Sequence, residues 1–132
     1  MSKASNYLEG LIIDYFFRNQ QVTQPTQIYV ALYKTNPTDA DTGAEISGGS
    51  YERQSLTMTA PTQKSDLAVT TNNDRIEFPR ATSDWGEIAY FGIRDAKTSG
   101  NLLTYGAFNK PVKIVEGNQF VIDTNNLEIN VG

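Results

Sequence analysis

From residue 27 to its end, the chain consists of short segments in which apolar and polar residues alternate, separated by residues that favour turns. Successive side chains of a β-strand point to opposite faces of the sheet, so a period of two indicates strands with one buried face. The predicted strands are residues 27–33, 51–59, 67–71, 75–78, 87–94, 102–108, 111–115, 119–122 and 127–131. This pattern predicts a mainly β fold, a β-sandwich or partly open barrel of about 8–9 short antiparallel strands with one N-terminal α-helix.

The helix is predicted from residues 1–18, where apolar residues recur at spacings of one, three and four and so share one helical face. The face consists of Tyr7, Leu8, Leu11, Ile12, Tyr15 and Phe16, and Ile13 and Phe17 widen it. Asn6 with Glu9 predicts the N-cap, and Ser5 is an alternative cap. Such a wide face needs a cover, either the chain's own sheet or a neighbouring subunit. We expect the sheet, because tertiary packing stabilises most helices.

The length of 132 residues fits one globular domain with one modest core. We therefore expect a single domain, residues 1–132, in which residues 1–18 form the amphipathic helix and residues 27–132 form the β-sandwich. Residues 36–50 are polar and rich in turn-forming residues, which predicts a long loop. Loops of this length in small domains are usually functional or mobile.

One fragment of this loop matches part of a calcium-binding pattern. Asp39, Asp41 and Gly43 follow the spacing D-x-D-x-G, and oxygen ligands at that spacing suit calcium. An EF-hand-like loop needs glycine at its sixth position and glutamate at its twelfth, where this chain has Ala44 and Ser50. We therefore interpret the fragment as an ordinary turn and predict no metal site and no cofactor.

The composition argues against catalysis. The chain has no histidine and no cysteine, which excludes histidine-based acid–base catalysis, thiol nucleophiles and thiolate metal sites. Asp84 and Glu87 flank Trp85 and Gly86, and a lone tryptophan beside acidic residues can line a sugar site, yet it more often fills a core edge or an interface. We expect a protein that is not an enzyme, with no catalytic residues and no small-molecule substrate. Carbohydrate binding stays open as an alternative.

Charge and hydropathy argue against two further classes of partner. The 11 basic and 15 acidic residues give a net charge of −4, and the basic residues are scattered, whereas nucleic-acid binders present basic tracks to phosphate. No apolar run approaches the roughly 20 residues that span a bilayer. The N-terminus also lacks the uninterrupted apolar stretch of a signal peptide. We expect no nucleic-acid partner, no membrane partner and no export signal.

Segments spread over nearly the whole chain carry a resemblance to a known family. They are SNYLE at 5–9, IYVALY at 28–33, NPTD at 36–39, SGGSYERQ at 47–54, IEFPRATSDWG at 76–86, FGIRDA at 91–96 and GNLLTYGA at 100–107. The most specific stretch is residues 78–86. In these segments the chain resembles small structural proteins of the virions of tailed bacteriophages, which are commonly labelled tail-fibre or decoration proteins.

This resemblance implies a non-enzymatic virion protein, made in the host cytoplasm, that forms a homo-oligomer and binds the major capsid protein or tail proteins. The chain is short and has no coiled-coil shaft, so we expect a capsid decoration or cement protein that stabilises the assembled head. A tail fibre, adaptor or baseplate component is the alternative. Aromatic residues are enriched at interface hot spots, so we predict that the partner is anchored by Tyr7, Tyr15, Phe16, Trp85 and Tyr90.

Overall fold

The computed structural model of the chain describes residues 2–132. Within that range it contains one α-helix, one π-helical turn and ten strands. In chain order they are β1 (Ser2–Ala4), α1 (Asn6–Ile12), the π-helical turn (Ile13–Phe17), β2 (Ile28–Tyr33), β3 (Gln54–Leu56), β4 (Thr62–Lys64), β5 (Leu67–Thr71), β6 (Ile76–Glu77), β7 (Gly86–Arg94), β8 (Leu102–Ile114), β9 (Val121–Ile122) and β10 (Glu128–Val131). Met1, which belongs to the predicted helix, lies outside the described residues.

The strands pair antiparallel in three sheets. The largest has five strands in the order β1-β8-β7-β2-β3, a second has three in the order β10-β5-β4, and β6 and β9 form the third. The central strands β2 and β7 are rich in branched and aromatic residues, which pack well on a pleated surface. The mainly β fold predicted from the sequence, with antiparallel strands and an N-terminal helix, is confirmed.

A hydrophobic core lies between the five-stranded sheet and the smaller sheets. The inner face of the large sheet contributes Phe91, and the two-stranded sheet contributes Ile76 and Ile122. Aromatic rings connect the layers, because the ring centroids of Phe91 and Phe108 lie 5.5 Å apart and those of Phe108 and Phe120 also lie 5.5 Å apart. Burial of each large apolar side chain contributes about 1.5–3 kcal/mol, so this core supplies most of the stabilisation of the fold.

Strand β8 is longer than the sequence predicts. Residues 102–108 and 111–115 are predicted as two strands, and the structure joins them into one strand that ends at residue 114. The pairing of β8 with β7 shifts register between Ile88 and Tyr90, which leaves extra residues on β8 near Pro111. Proline has no backbone N–H to donate to a sheet, and a bulge accommodates it without losing the strand.

The N-terminal segment begins with a strand, and its helix is shorter than predicted. Residues 2–4 pair with β8, so the predicted helix over residues 1–18 is wrong there. Ser5 is the N-cap, since its Oγ accepts a hydrogen bond from the backbone N–H of Leu8 at 3.1 Å. Asn6 is therefore the first helical residue, and Ser5, the alternative to the predicted cap Asn6, is the cap that the structure shows.

A buried arginine holds the loop of residues 36–50 against the outer face of the five-stranded sheet, the face opposite the core. Arg94 of β7 donates from both Nη atoms to the carboxylate of Asp41, at 2.8 Å each, and from Nη1 to the hydroxyl of Tyr33 at 2.9 Å. Nη2 also donates to the carbonyl oxygen of Gly100 at 2.9 Å. Burial lowers the pKa of Arg94, but the bonds to the carboxylate and the hydroxyl outweigh it and raise this pKa above its ordinary value. The guanidinium therefore stays charged and the loop stays attached.

A second arginine fixes the far end of the same loop. Arg53 donates from Nε and Nη2 to the carboxylate of Glu45, at 2.9 and 2.8 Å. From Nη1 it donates to the carbonyl oxygens of Ala96 and Ser99, at 2.9 and 2.8 Å, in the connection between β7 and β8. Each of these bonds has a charged donor, which makes it stronger than a neutral hydrogen bond. The two arginines therefore hold both the loop of residues 36–50 and the connection between β7 and β8 against the sheet.

The carboxylates of the calcium-like fragment bind the protein's own side chains. Arg94 binds Asp41, and the hydroxyl of Tyr105 donates to the carboxylate of Asp39. Among residues 2–132, no group of three or more acidic side chains is arranged to hold a metal ion. The fragment is thus a turn whose charges stabilise the loop.

Three tyrosines around this loop, of which Tyr33 and Tyr105 are buried and Tyr51 is half-buried, hold their protons more tightly than a free tyrosine does. Burial raises the pKa of Tyr33, Tyr51 and Tyr105 above the ordinary value of 10.0. Carboxylates add to the effect, since Tyr51 donates to Glu45 at 2.6 Å and Tyr105 donates to Asp39, and the pKa of Tyr105 is raised to about 12. Because the folded pKa exceeds the unfolded one, the stabilisation is complete below pH 10 and is lost as the pH rises.

We predict that Arg94→Met lowers the free energy of unfolding by about 3–5 kcal/mol, because it leaves Asp41 and the loop without their partner. The measurement is urea unfolding at neutral pH. The control is Arg75→Met, which removes an exposed guanidinium 3.5 Å from Glu77 and is expected to change the free energy by less than about 0.5 kcal/mol. Equal effects of the two substitutions would contradict the structural role of Arg94.

We also predict that the free energy of unfolding falls steeply above pH 10 and that Tyr105→Phe makes this fall shallower between pH 10 and about 12. Each tyrosine with a raised pKa contributes a slope of about 1.4 kcal/mol per pH unit between its unfolded and folded pKa. Urea unfolding at a series of pH values gives the slope for wild type and variant. If the free energy of unfolding fell with the same slope in wild type and variant over this pH range, the raised pKa of Tyr105 would be contradicted.

Candidate assembly surface

The helical segment carries large apolar side chains that the rest of the chain leaves exposed. None of residues 6–17, all of which the structure describes, is buried. The exposed fractions are 76% for Phe17, 72% for Phe16, 52% for Tyr15, 50% for Ile13 and 41% for Tyr7, and these five residues are named the helical aromatic surface. The expectation that the chain's own sheet covers this face is correct only in part. α1 packs on β8 and Leu8, Leu11 and Ile12 are half-buried, whereas Tyr7, Tyr15 and Phe16 are exposed.

A π-helical turn ends the helix within this surface. The backbone N–H of Arg18 donates to the carbonyl oxygen of Ile13, five residues earlier, at 3.1 Å. The rings of Tyr15 and Phe16 pack edge to face with their centroids 4.9 Å apart, and the helix has ended by Asn19, which has a φ of 54°. Single π-helical turns occur frequently at functional sites. The aromatic residues are therefore concentrated at the free end of the helix.

An apolar groove lies beside the exposed aromatic residues, between α1 and the segment that follows it. Its volume is about 380 Å³. The lining includes Leu8, Leu11, Ile12, Tyr15, Val22 and Pro25. Phe16 is part of this lining as well as highly exposed. Projecting aromatic side chains and an apolar depression thus occur side by side on one segment.

The charges next to the helical aromatic surface form an exposed pair. Nη1 of Arg18 lies 2.7 Å from Oδ1 of Asp14, one helical turn earlier, and the two side chains are 61% and 42% exposed. An exposed pair of this kind contributes at most about 1 kcal/mol to folding. Both groups are therefore accessible to a partner that binds the surface.

Three of the five predicted anchors, Tyr7, Tyr15 and Phe16, are exposed on the helical segment, and the rings of Tyr15 and Phe16 are in contact. Ile13 and Phe17 also belong to the helical aromatic surface, although neither is among the predicted anchors. Their positions in the sequence could have identified them. Both residues widen the apolar face of the predicted helix beyond the width that a short helix buries against a sheet.

Trp85, a fourth predicted anchor, is a core residue and not part of an accessible surface. Its side chain is 1% exposed, its Nε1 donates to the carbonyl oxygen of Gly49 at 2.8 Å, and its ring packs edge to face on Tyr51 at 5.5 Å. The neighbouring Asp84 accepts the backbone N–H of Glu116 at 2.8 Å. The prediction of an anchor at Trp85 is corrected accordingly. A sugar also has no open face of this ring to stack on.

Tyr90, the fifth predicted anchor, is half-buried on β7 and lies apart from the other exposed aromatics. It lines a cleft of about 190 Å³ together with Lys3, Asn36 and Tyr105. This cleft shares no residue with the apolar groove beside the helix. The structure therefore does not bring Tyr90 together with the helical aromatic surface.

Comparison with known families shows the class of this protein. The family model that matches the chain is one of phage fibre proteins. Its description is podophage GP4 fiber I protein gp80, and the match covers residues 3–130, which includes both the helical segment and the sheets. The chain belongs to this family and is a structural protein of the phage virion, as the resemblance of its sequence segments implies. No curated protein matches the chain. None of the helices within residues 2–132 has the length and hydropathy needed to cross a bilayer.

We predict that Trp85→Ala lowers the free energy of unfolding by about 3–5 kcal/mol, because it leaves a cavity in the core and removes the hydrogen bond from Nε1 to the carbonyl oxygen of Gly49. Val131→Ala, at a side chain that is 56% exposed, is the control and is expected to stay within about 0.5 kcal/mol of wild type. Urea unfolding followed by circular dichroism measures both. A folded Trp85→Ala variant of unchanged stability would restore the residue as a candidate anchor.

Proposed function

We propose that the protein is a non-enzymatic subunit of a phage tail fibre and that it joins the particle through the helical aromatic surface. The placement in the tail rests on the family, whose description names a fibre protein. It differs from the expectation of a capsid decoration protein, which rested on the short chain.

The observation that carries the assembly role is the exposure of Phe16 and Phe17, at 72% and 76%, on a segment that the β sheets leave uncovered. Contiguous exposed apolar patches of several hundred Å² mark interaction sites in soluble proteins. Rigid aromatic side chains are also the residues that most often dominate binding energy at interfaces. A surface of this composition is suited to bind another protein.

In this proposal the rest of the chain is a rigid scaffold that presents the helical aromatic surface. Arg94 and Arg53 fix the long connections to the sheet, and the core is filled with aliphatic and aromatic side chains. The absence of histidine and cysteine from the sequence removes the commonest catalytic groups. Trp85 and Asp84, the residues considered for a sugar site, are engaged within the fold. A rigid body with an exposed apolar helix suits assembly better than substrate turnover.

A capsid decoration or cement protein is the second candidate function. One observation favours it: within residues 2–132 the longest helical stretch is residues 6–17, so the described chain contains no coiled-coil shaft of its own. A compact subunit of this shape would cover the seams between capsid proteins. Binding only the assembled shell would stabilise the head by mass action.

Gold labelling of intact particles with an antibody against this chain, imaged by electron microscopy, separates the two placements. We predict label confined to the tail. Label spread over many sites on the head would overturn the tail placement and support the decoration role. Particles that lack the gene for this chain are the control for antibody specificity.

A further inference from the structure

We propose that a cleft on the outer face of the five-stranded sheet binds one acidic sugar residue, such as a uronic acid of a bacterial surface polysaccharide. The cleft has a volume of about 190 Å³ and is named the tyrosine cleft. Its lining consists of Lys3, Asn36, Tyr90, Tyr105, Gly106 and Ala107. The inference goes beyond the proposed function, because this cleft shares no residue with the helical segment of residues 6–17.

Tyr90 differs from the other tyrosines near the long loop because it has no partner in the fold. The hydroxyls of Tyr33, Tyr51 and Tyr105 all take part in hydrogen bonds. The hydroxyl of Tyr90 forms none with residues 2–132, and its ring packs on no aromatic ring in that range. A tyrosine offers an apolar ring and a polar hydroxyl, which match the C–H face and the hydroxyls of a sugar. Because β7 lies between β8 and β2, a rigid element presents this side chain.

The neighbouring strand leaves open space beside Tyr90. Ala107 lies directly opposite Tyr90 in the pairing of β7 with β8, and Gly106 precedes it. Side chains that face each other across strands are close enough to touch, so a large residue at position 107 would fill the cleft. With about 190 Å³, the cleft is smaller than the pockets of roughly 300–1,000 Å³ that hold drug-sized ligands. The space therefore suits a single sugar ring.

Asn36 and Lys3 supply hydrogen-bond donors to the cleft. The Oδ1 of Asn36 accepts the backbone N–H of Thr38 at 2.9 Å, and its Nδ2 donates to no other group among residues 2–132. The exposed Nζ of Lys3 is in no ion pair within the same range. Of the six residues that line the cleft, Lys3 alone is charged. The amide therefore suits a sugar hydroxyl, and the ammonium group suits a carboxylate.

The turn that carries Asn36 is held in a strained conformation at the edge of the cleft. Thr38 has a φ of 62°, which is rare for a β-branched residue. Pro37 is buried, and the carboxylate of Asp39 accepts the hydroxyl of Tyr105, so the surroundings fix the turn on both sides of Thr38. Strained backbone of this kind is concentrated at sites that hold ligands, because it fixes side chains before the ligand arrives. The donor of Asn36 is therefore positioned in advance.

Titration of the isotope-labelled chain, followed by nuclear magnetic resonance, tests the site. The probes are methyl glucuronoside and methyl galacturonoside, and methyl glucoside and methyl galactoside are their neutral matches. A single sugar residue is expected to bind with a dissociation constant of roughly 1 mM. We expect an acidic sugar to shift the amide signals of residues 36, 90 and 105–107. The neutral match is expected to bind about tenfold more weakly, because it lacks the carboxylate that Lys3 would bind.

Two substitutions test the aromatic ring and the space beside it. We expect Tyr90→Val and Ala107→Trp each to raise the dissociation constant about tenfold or more, because the first removes the ring and the second fills the cleft. The matched control is Tyr29→Val, at a half-buried tyrosine of β2 that does not line the cleft, and it is expected to bind like wild type. The dispersion of the amide signals shows whether each variant is folded.

A third substitution tests the charge. We expect Lys3→Gln to lower the affinity for the acidic sugar to that for its neutral match and to leave the affinity for the neutral match unchanged. Lys113→Gln, at an exposed lysine of β8 outside the cleft, is the matched control. An equal loss in both variants would contradict a direct contact between Lys3 and the carboxylate.

Three results would overturn the inference. The first is that neither acidic sugar shifts the signals of residues 36, 90 and 105–107. The second is that acetate or inorganic phosphate shifts these signals as strongly as the acidic sugars do, which would indicate a site for a bare anion. The third is that both Tyr90→Val and Ala107→Trp bind like wild type, which would show that the sugar lies elsewhere. The gold-labelling experiment is independent of all three, so failure of this inference and failure of the proposed function are distinguishable.

Discussion

The bidentate pair between Arg94 and Asp41 is the interaction on which the arrangement of this chain depends. A five-stranded sheet has two faces, and an apolar layer covers only one of them here. The buried guanidinium allows a polar loop to serve as the second layer, because it binds Asp41, the Tyr33 hydroxyl and a backbone carbonyl oxygen at once. The loop therefore covers part of the outer face of the sheet, and the helix packs on β8 through half-buried residues such as Leu8 and Ile12.

The sequence predicts those parts of the fold that depend on local periodicity. The period of two places β2, β5 and β7 within a residue or two of their observed bounds. Elements that depend on distant partners are missed, since β1 forms only by pairing with residues 104–106 and β4 lies where a turn is predicted. Alternation also fails at Ile88, which shares the core with Phe91 although the two are three residues apart, and the pairing of β7 with β8 is irregular between Ile88 and Tyr90.

The candidate site could be predicted only in part, for a related physical reason. The apolar face of the helix is visible in the spacing of its residues, but a face buried against a sheet and a face left for a partner have the same spacing. The contacts of the helix with distant strands decide between them, and α1 packs on β8, which is far away in the sequence. Trp85 shows the converse, because a tryptophan beside two acidic residues suggests a binding site until its Nε1 is found bonded to Gly49 inside the fold.

An interface built on the helical aromatic surface alone would be modest in area for an isolated complex in solution. Association in solution has to offset the lost translational and rotational freedom of a whole subunit, so such a complex forms and separates readily. Subunits already attached to one particle have lost much of that freedom, and their effective concentration is orders of magnitude higher. The same contact would then persist in the particle while remaining reversible before assembly. A small aromatic surface therefore suits a virion subunit that must stay unaggregated when free and hold together once it is in place.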